Sequence, residues 1–177
     1  YRTMPNMQKH LSRHNNNCLK VKLEEEMPWM REHLKCNCKP NRKANCPLPG
    51  ACTVTNCIYI CKVTQTHNCH KEYYTGATKN FKKRYYSHHA TFVNADHTNQ
   101  TTLSRHIWQL KENNIDHTIE WSVKDRAPPF NPITGLCRLC DLEKYYILKE
   151  PTEATLNQRS EFFSHCYHKQ PQLLVKK

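Results

Sequence analysis

Hydrophobic and polar positions divide the chain into a polar leading stretch and a patterned remainder. Residues 1–45, typified by "HNNNCLKVKLEEEMPWM", hold Asn and Glu runs with little periodicity and read as a basic connector, with room for one short helix over 27–34. From Cys46 the texture changes. "CPLPGAC" is a Pro/Gly turn closed by two cysteines, and "NCIYICKV" after it is β-branched, aromatic and apolar, the signature of a strand. "KEYYTGAT" predicts a second strand running to Gly76, with "THNCHK" as the loop of a hairpin.

The period then lengthens. In "NFKKRYYSHHATF", Phe81, Tyr85, His88 and Phe92 recur at helical spacing behind Asn80 as a cap. "TTLSRHIWQLKENN" predicts a second helix with Leu103, Ile107 and Leu110 on one stripe, and "HTIEWSV" a third strand. Paired prolines keep "RAPPFNPITG" irregular. "LCRLCDLEKYYILKE" predicts a helix with Leu139, Leu142 and Tyr146 inward, and "NQRSEFFSHC" a short last one. The expected fold class is α+β, a small three-stranded mixed sheet flanked by helices, carried by a domain over 46–177.

Charge adds a class of partner. Twenty-seven basic against 15 acidic residues leave +12, spread along the chain, which favours a polyanionic partner, nucleic acid or an anionic membrane surface. No apolar run reaches the ~20 residues of a membrane span, and of the two polyanions nucleic acid, with no membrane, is the expected partner. The opening "YRTMPNMQKHLSRH" carries no signal-peptide core and is expected to continue from a longer polypeptide.

Eleven cysteines beside many histidines point to zinc rather than to a disulfide scaffold. Two clusters stand apart: Cys36, Cys38, Cys46 and Cys52 upstream, and Cys137, Cys140, Cys166 and His168 downstream, the latter with C-x₂-C and C-x-H spacing. Cys57, Cys61 and Cys69 are expected to be small buried hydrophobes.

One constellation carries chemistry. Two antiparallel strands bring Tyr59 and Tyr74 onto one face, and Arg84 and His88, four apart, share a helix face. Phenol, guanidinium and imidazole together suit phosphodiester cleavage, and Glu143 is a candidate single-carboxylate ligand for Mg²⁺ or Mn²⁺. Taken singly, each residue has an ordinary structural reading, since strand tyrosines usually pack and helix arginines usually face solvent.

The order of these residues changes the balance. Cys57-Ile58-Tyr59, Tyr74-Thr75-Gly76, Arg84, His88, Glu143 and Asn157 together resemble the GIY-YIG nuclease family, with Cys57 in place of the first Gly and Thr75 in place of the second Ile. "CPLPGAC", "YTGATKNFKKRYYSHHATF", "TTLSRHIWQLKENN", "CRLCDLEKYYIL" and "LNQRSEFFSHCYHK" further resemble the endonuclease domain of Penelope-like retroelements, and "MPNM…SRHN" the connector from their reverse transcriptase.

The resemblance implies the GIY-YIG nuclease fold and a metal-dependent DNA endonuclease acting in the nucleus. It would nick target DNA to leave a 3′-hydroxyl primer for reverse transcription. DNA, the element's RNA and an upstream reverse transcriptase would be its partners. Tyr59 would act as base or orient water, Tyr74 would bond near the same phosphate, Arg84 would meet the phosphate charge, His88 would assist proton transfer and Glu143 would hold one divalent ion. His97 and Asn157 would be auxiliary polar residues. The resemblance also implies a finger containing Cys46 and Cys52, completed by Cys36 and Cys38 or by two histidines further on. The rival expectation is a zinc-stabilised nucleic-acid-binding module without cleavage activity.

Overall fold

The run Cys57–Val63 is apolar at nearly every position because the strand that holds it is covered on both faces, as a central strand requires. In the computed structural model, which describes residues 36, 38, 46–130 and 137–158, this strand is β1 (Thr55–Gln65). It is followed by β2 (Lys71–Asn80), α1 (Phe81–Val93), α2 (Thr102–Glu112), β3 (His117–Arg126) and α3 (Arg138–Lys149). The helix expected over 27–34, nearly all of that over 157–166, and Cys166 and His168 lie outside the described residues.

The fold is α+β, with a three-stranded antiparallel sheet in the order β2-β1-β3. The expectation of a mixed sheet is thereby corrected. β2 and β3 run in the same direction, but each pairs with the opposite side of β1, so no two parallel strands are neighbours. Both hairpin strands also outrun their predicted ends, β1 to Gln65 and β2 through Gly76 to Asn80.

The two faces of β1 bury different cores. Cys57, Tyr59, Cys61 and Val63 point into a cluster with Phe81 and Phe92 of α1 and Leu103, Ile107 and Leu110 of α2, which is the predicted stripe. Ile58, on the other face, packs with Leu139 and Cys140 of α3, with Leu142 and Tyr146 against them. β3 alternates half-buried and exposed residues from His117 to Ser122, as an edge strand with one wet face does. A register shift beside Ile58 and Tyr59 inserts Lys124 as an extra residue in β3. The Lys124 ammonium meets Glu150 at 2.6 Å and Glu153 at 2.8 Å.

No loop separates β2 from α1. Asn80 ends the strand, and its Oδ1 accepts the Lys83 N–H at 2.9 Å as the helix cap, while Phe81 N–H donates to Val54 O at 3.0 Å. The rotation of α1 about its axis is therefore set by the strand before it. α2 begins with a capping box between Thr101 and Ser104.

The free edge of β2 is closed by side chains from the far end of the chain. Its outward N–H groups at 73, 75 and 77 donate in turn to Thr155 Oγ1 (2.8 Å), Asn157 Oδ1 (2.8 Å) and Glu143 Oε1 (2.7 Å). Leu156 N–H and Asn157 Nδ2 satisfy the Tyr73 and Thr75 carbonyls. An exposed row of strand donors invites pairing with other chains, and here it is taken up internally.

Gly76 lies opposite Tyr59 in the hairpin, and a Cβ on it would stand 2.5 Å from the Tyr59 Oη and 2.7 Å from its Cζ. Gly76→Ala is expected to destabilise the domain by about 1–3 kcal/mol, the usual cost of overpacking a tight site. A lowered urea midpoint with an unchanged slope is the expected record, and an unshifted midpoint would mean that Tyr59 can move aside.

Candidate functional site

Strand period and register place the two tyrosines. Tyr59 faces Gly76 and Cys61 faces Tyr74, so the tyrosines are diagonal neighbours on one face with ring centroids 6.4 Å apart. Gly76 allows the Tyr59 ring to lie across β2. From α1, two residues one turn apart converge on the same oxygen. Arg84 Nε donates to Tyr59 Oη at 3.0 Å, and His88 Nε2 lies 2.8 Å from it.

Tyr59 is fully buried and His88 nearly so, while Arg84 and Glu143 are half-buried. His88 is enclosed by rings: Phe92 stacks on it at 6.1 Å, and Tyr74 and Trp121 lie 5.9 and 5.5 Å away. Burial, reinforced by the Arg84 charge, pushes the His88 pKa down from 6.5 to about 3, so the imidazole is neutral at physiological pH. Burial pushes the Tyr59 phenol well above its ordinary value, against the pull of Arg84, and Glu143 raises it further. Tyr59 is a neutral phenol here, and a proton leaving it has a neutral imidazole within reach.

Glu143 reaches this group from α3. Its bond to Ala77 N–H fixes its carboxylate next to Gly76, and its charge is felt at Tyr59. Asn157 stands at the same edge, with both ends of its amide engaged by the Thr75 backbone. His97, in a short 3₁₀ turn (Ala95–His97), has its Nδ1 2.7 Å from Gln100 Nε2. Tyr59, Tyr74, Arg84, His88 and Glu143 are thus brought together, Asn157 flanks them, and His97 has no contact with the set among the described residues. Trp121, which touches Tyr59, Phe81, Tyr85 and His88, was not singled out from sequence. Its place in the alternation of β3 was the available signal.

The upstream cysteines converge as well. The Sγ atoms of Cys36, Cys38, Cys46 and Cys52 all lie within 4.8 Å of one another, with separations of 3.5 Å for Cys36–Cys46 and Cys36–Cys52 and 3.7 Å for Cys38–Cys52. Zn–S bonds of ~2.3 Å in a tetrahedron need sulfurs roughly 3.8 Å apart, so these four can hold a zinc ion. Of the two completions considered for Cys46 and Cys52, this is the all-cysteine one. Lys82 Nζ lies 3.4 Å from Cys38 Sγ, bringing an ammonium to the cluster from the first turn of α1. Cys38 N–H donates to Cys36 Sγ at 3.4 Å and holds that thiol down at about 7.

Downstream, Cys137 and Cys140 are buried with sulfurs 3.3 Å apart, their expected partners lying outside the described residues. Cys57 and Cys61 are core residues as expected, but Cys69 is exposed, at φ 55° in the hairpin turn. A turn that needs the left-handed conformation places its side chain by backbone geometry and not by hydrophobicity.

No protein-family model, curated protein or solved structure matches the chain. Among the described residues, no helix is long and apolar enough to cross a membrane.

The His88 environment has a pH signature. The unfolded chain takes up a proton near pH 6.5 and the folded one only near 3, so between these values the unfolded state binds more protons. Its contribution to stability is complete above pH 6.5 and is lost as pH falls toward 3. The difference in urea midpoint between the parent and His88→Gln is expected to shrink over that range. A difference independent of pH would mean that the imidazole titrates normally.

Proposed function

We propose that this protein is a metal-dependent DNA endonuclease of the GIY-YIG type, related to the nuclease domain of Penelope-like retroelements. One observation carries the reading: Arg84 and His88 of one helix meet a single buried phenol oxygen, beside a carboxylate held from a distant helix. Such a set supplies what phosphodiester hydrolysis needs, a proton path and charges to offset those on the phosphate.

In this reading Tyr59 takes a proton from the attacking water as its own proton passes to His88 Nε2. His88 Nε2 is the acceptor within reach, although the burial that keeps the imidazole neutral opposes its protonation, and Arg84, donating to the same oxygen, stabilises charge on Tyr59 and on the phosphate. Glu143 would hold the divalent ion. One carboxylate with its remaining positions left to water and phosphate fits the hydrated habit of Mg²⁺. When bound, that ion supplies Lewis acidity toward the phosphate and leaving oxygens. The product would carry a 3′-hydroxyl able to prime reverse transcription.

Glu143 also caps the β2 edge, so its two roles need separate variants. Glu143→Gln keeps an amide oxygen for the Ala77 N–H but removes the charge, whereas Glu143→Ala loses both. Nicking of supercoiled plasmid in Mg²⁺ or Mn²⁺ is expected to fall roughly a hundredfold or more in both, because several kcal/mol of charge stabilisation are lost. Thermal stability should fall in the alanine variant alone. Full nicking by the glutamine variant would remove Glu143 as the metal ligand.

The four upstream cysteines are proposed as a structural zinc site that ties the start of α1 to the preceding turn. Purified protein is expected to carry zinc, and Cys52→Ser to lose one equivalent by elemental analysis with a lower melting temperature. Zinc content unchanged in Cys52→Ser would overturn this site. If zinc-loaded, DNA-binding protein failed to nick, the binding-module alternative would take its place.

A further inference from the structure

Beside α1, a cavity of about 490 Å³ opens between that helix, β3 and the cysteine turn, within the ~300–1,000 Å³ range of small-ligand sites. Its walls include Tyr85, His89, Trp121 and Glu120, with Pro47 and Pro49 of the turn. The rings of Tyr85 and Trp121 stand almost perpendicular, at 84° with centroids 5.8 Å apart, and His89 is 6.2 Å from Tyr85. Tyr85 and Trp121 are only half-buried and His89 is exposed, so aromatic surface is left open to solvent.

A flat ring can lie on one of these walls with its edge against the other. Glu120, on an exposed strand position, adds a carboxylate acceptor, with its Oε2 held by Lys62 at 2.6 Å. Two cations lie next to its lining, Lys62 paired with Glu120 and Lys82 beside the cysteine cluster that contributes Cys46 to the wall. Aromatic walls beside cations, in a chain of net charge +12, have the character of a single-strand nucleic-acid site, where bases stack and phosphates meet lysines.

We propose that this cavity is a binding site for one unpaired nucleobase of a single strand, stacked on Tyr85 or Trp121, with Glu120 accepting from its exocyclic amine. The site deepens the nucleic-acid reading above and is distinct from the Tyr59 group, with which it shares the Trp121 and Phe92 rings. Because Trp121 also packs on Tyr59 and His88, the test uses Tyr85 and Glu120.

The probe is a 12-nucleotide single strand carrying one central 2-aminopurine, compared with the same strand abasic at that position, with the full 177-residue chain as binder. Quenching of the 2-aminopurine on binding is expected. Tyr85→Ala should weaken binding of the intact strand roughly five- to a hundredfold, the range of one lost stack, and leave the abasic strand almost unaffected. The salt dependence should keep its slope, since phosphate contacts persist. Glu120→Gln, an exposed change with little bearing on folding, should erase a preference for adenine over thymine at the probed position. Absence of quenching in the parent overturns the proposal, and would leave the cavity to a peptide ligand. Equal losses for intact and abasic strands, or an unaltered base preference in Glu120→Gln, overturn it as well. Plasmid nicking is read separately: nicking without quenching removes this site alone, and quenching without nicking removes the nuclease reading alone.

Discussion

The hydroxyl of Tyr59 is the point at which strand register, helix rotation and site chemistry become a single constraint. Its ring lies over Gly76, which fixes how β1 and β2 pair, because a slip of one residue would bring a side-chain-bearing neighbour under the ring. Its oxygen meets Arg84 and His88, which fixes the face that α1 turns to the sheet. With α1 starting directly after the last residue of β2, neither setting can change without the other.

Burying such a group is expensive unless each polar atom finds a partner. The chain meets that condition by neutrality as much as by pairing. Phenol and imidazole are both driven toward their uncharged forms, and the guanidinium that joins them is only half-buried. Enclosure of His88 by Phe92, Tyr74 and Trp121 keeps water from that bond, which strengthens it and also makes its loss costly. The same enclosure sets the chemistry available: it keeps the imidazole neutral beside the phenol and makes the imidazolium costly to form.

Much of this was legible in the residues. The two-residue period of strands put Tyr59 and Tyr74 on one face, the four-residue step put Arg84 and His88 together, and Asn80 marked the start of the helix. What was not legible depends on partners far along the chain. Whether the sheet was mixed turned on whether the last strand would join β1 or the outer edge of β2. Asn157 reads locally as any loop asparagine, and its role as a clamp on Thr75 appears only through a contact 82 residues away in sequence. Trp121 was not singled out because nothing in β3 alone says that its ring meets a tyrosine and a histidine.

The way the β2 edge of the sheet is finished has consequences for Glu143. At β2, the donors at 73, 75 and 77 are closed by Thr155, Asn157 and Glu143 in succession, so the acidic residue arrives beside Gly76 as one rung of an edge cap. Thr155 and Asn157 satisfy their rungs with neutral side chains. A carboxylate is not required for the third, since an amide or hydroxyl oxygen accepts an N–H equally well in geometry. Placing a charge there raises the Tyr59 phenol further and so disfavours its anion. Edge protection thus accounts for an acceptor at position 143 but not for an anion, and the anion is what a divalent cation would require.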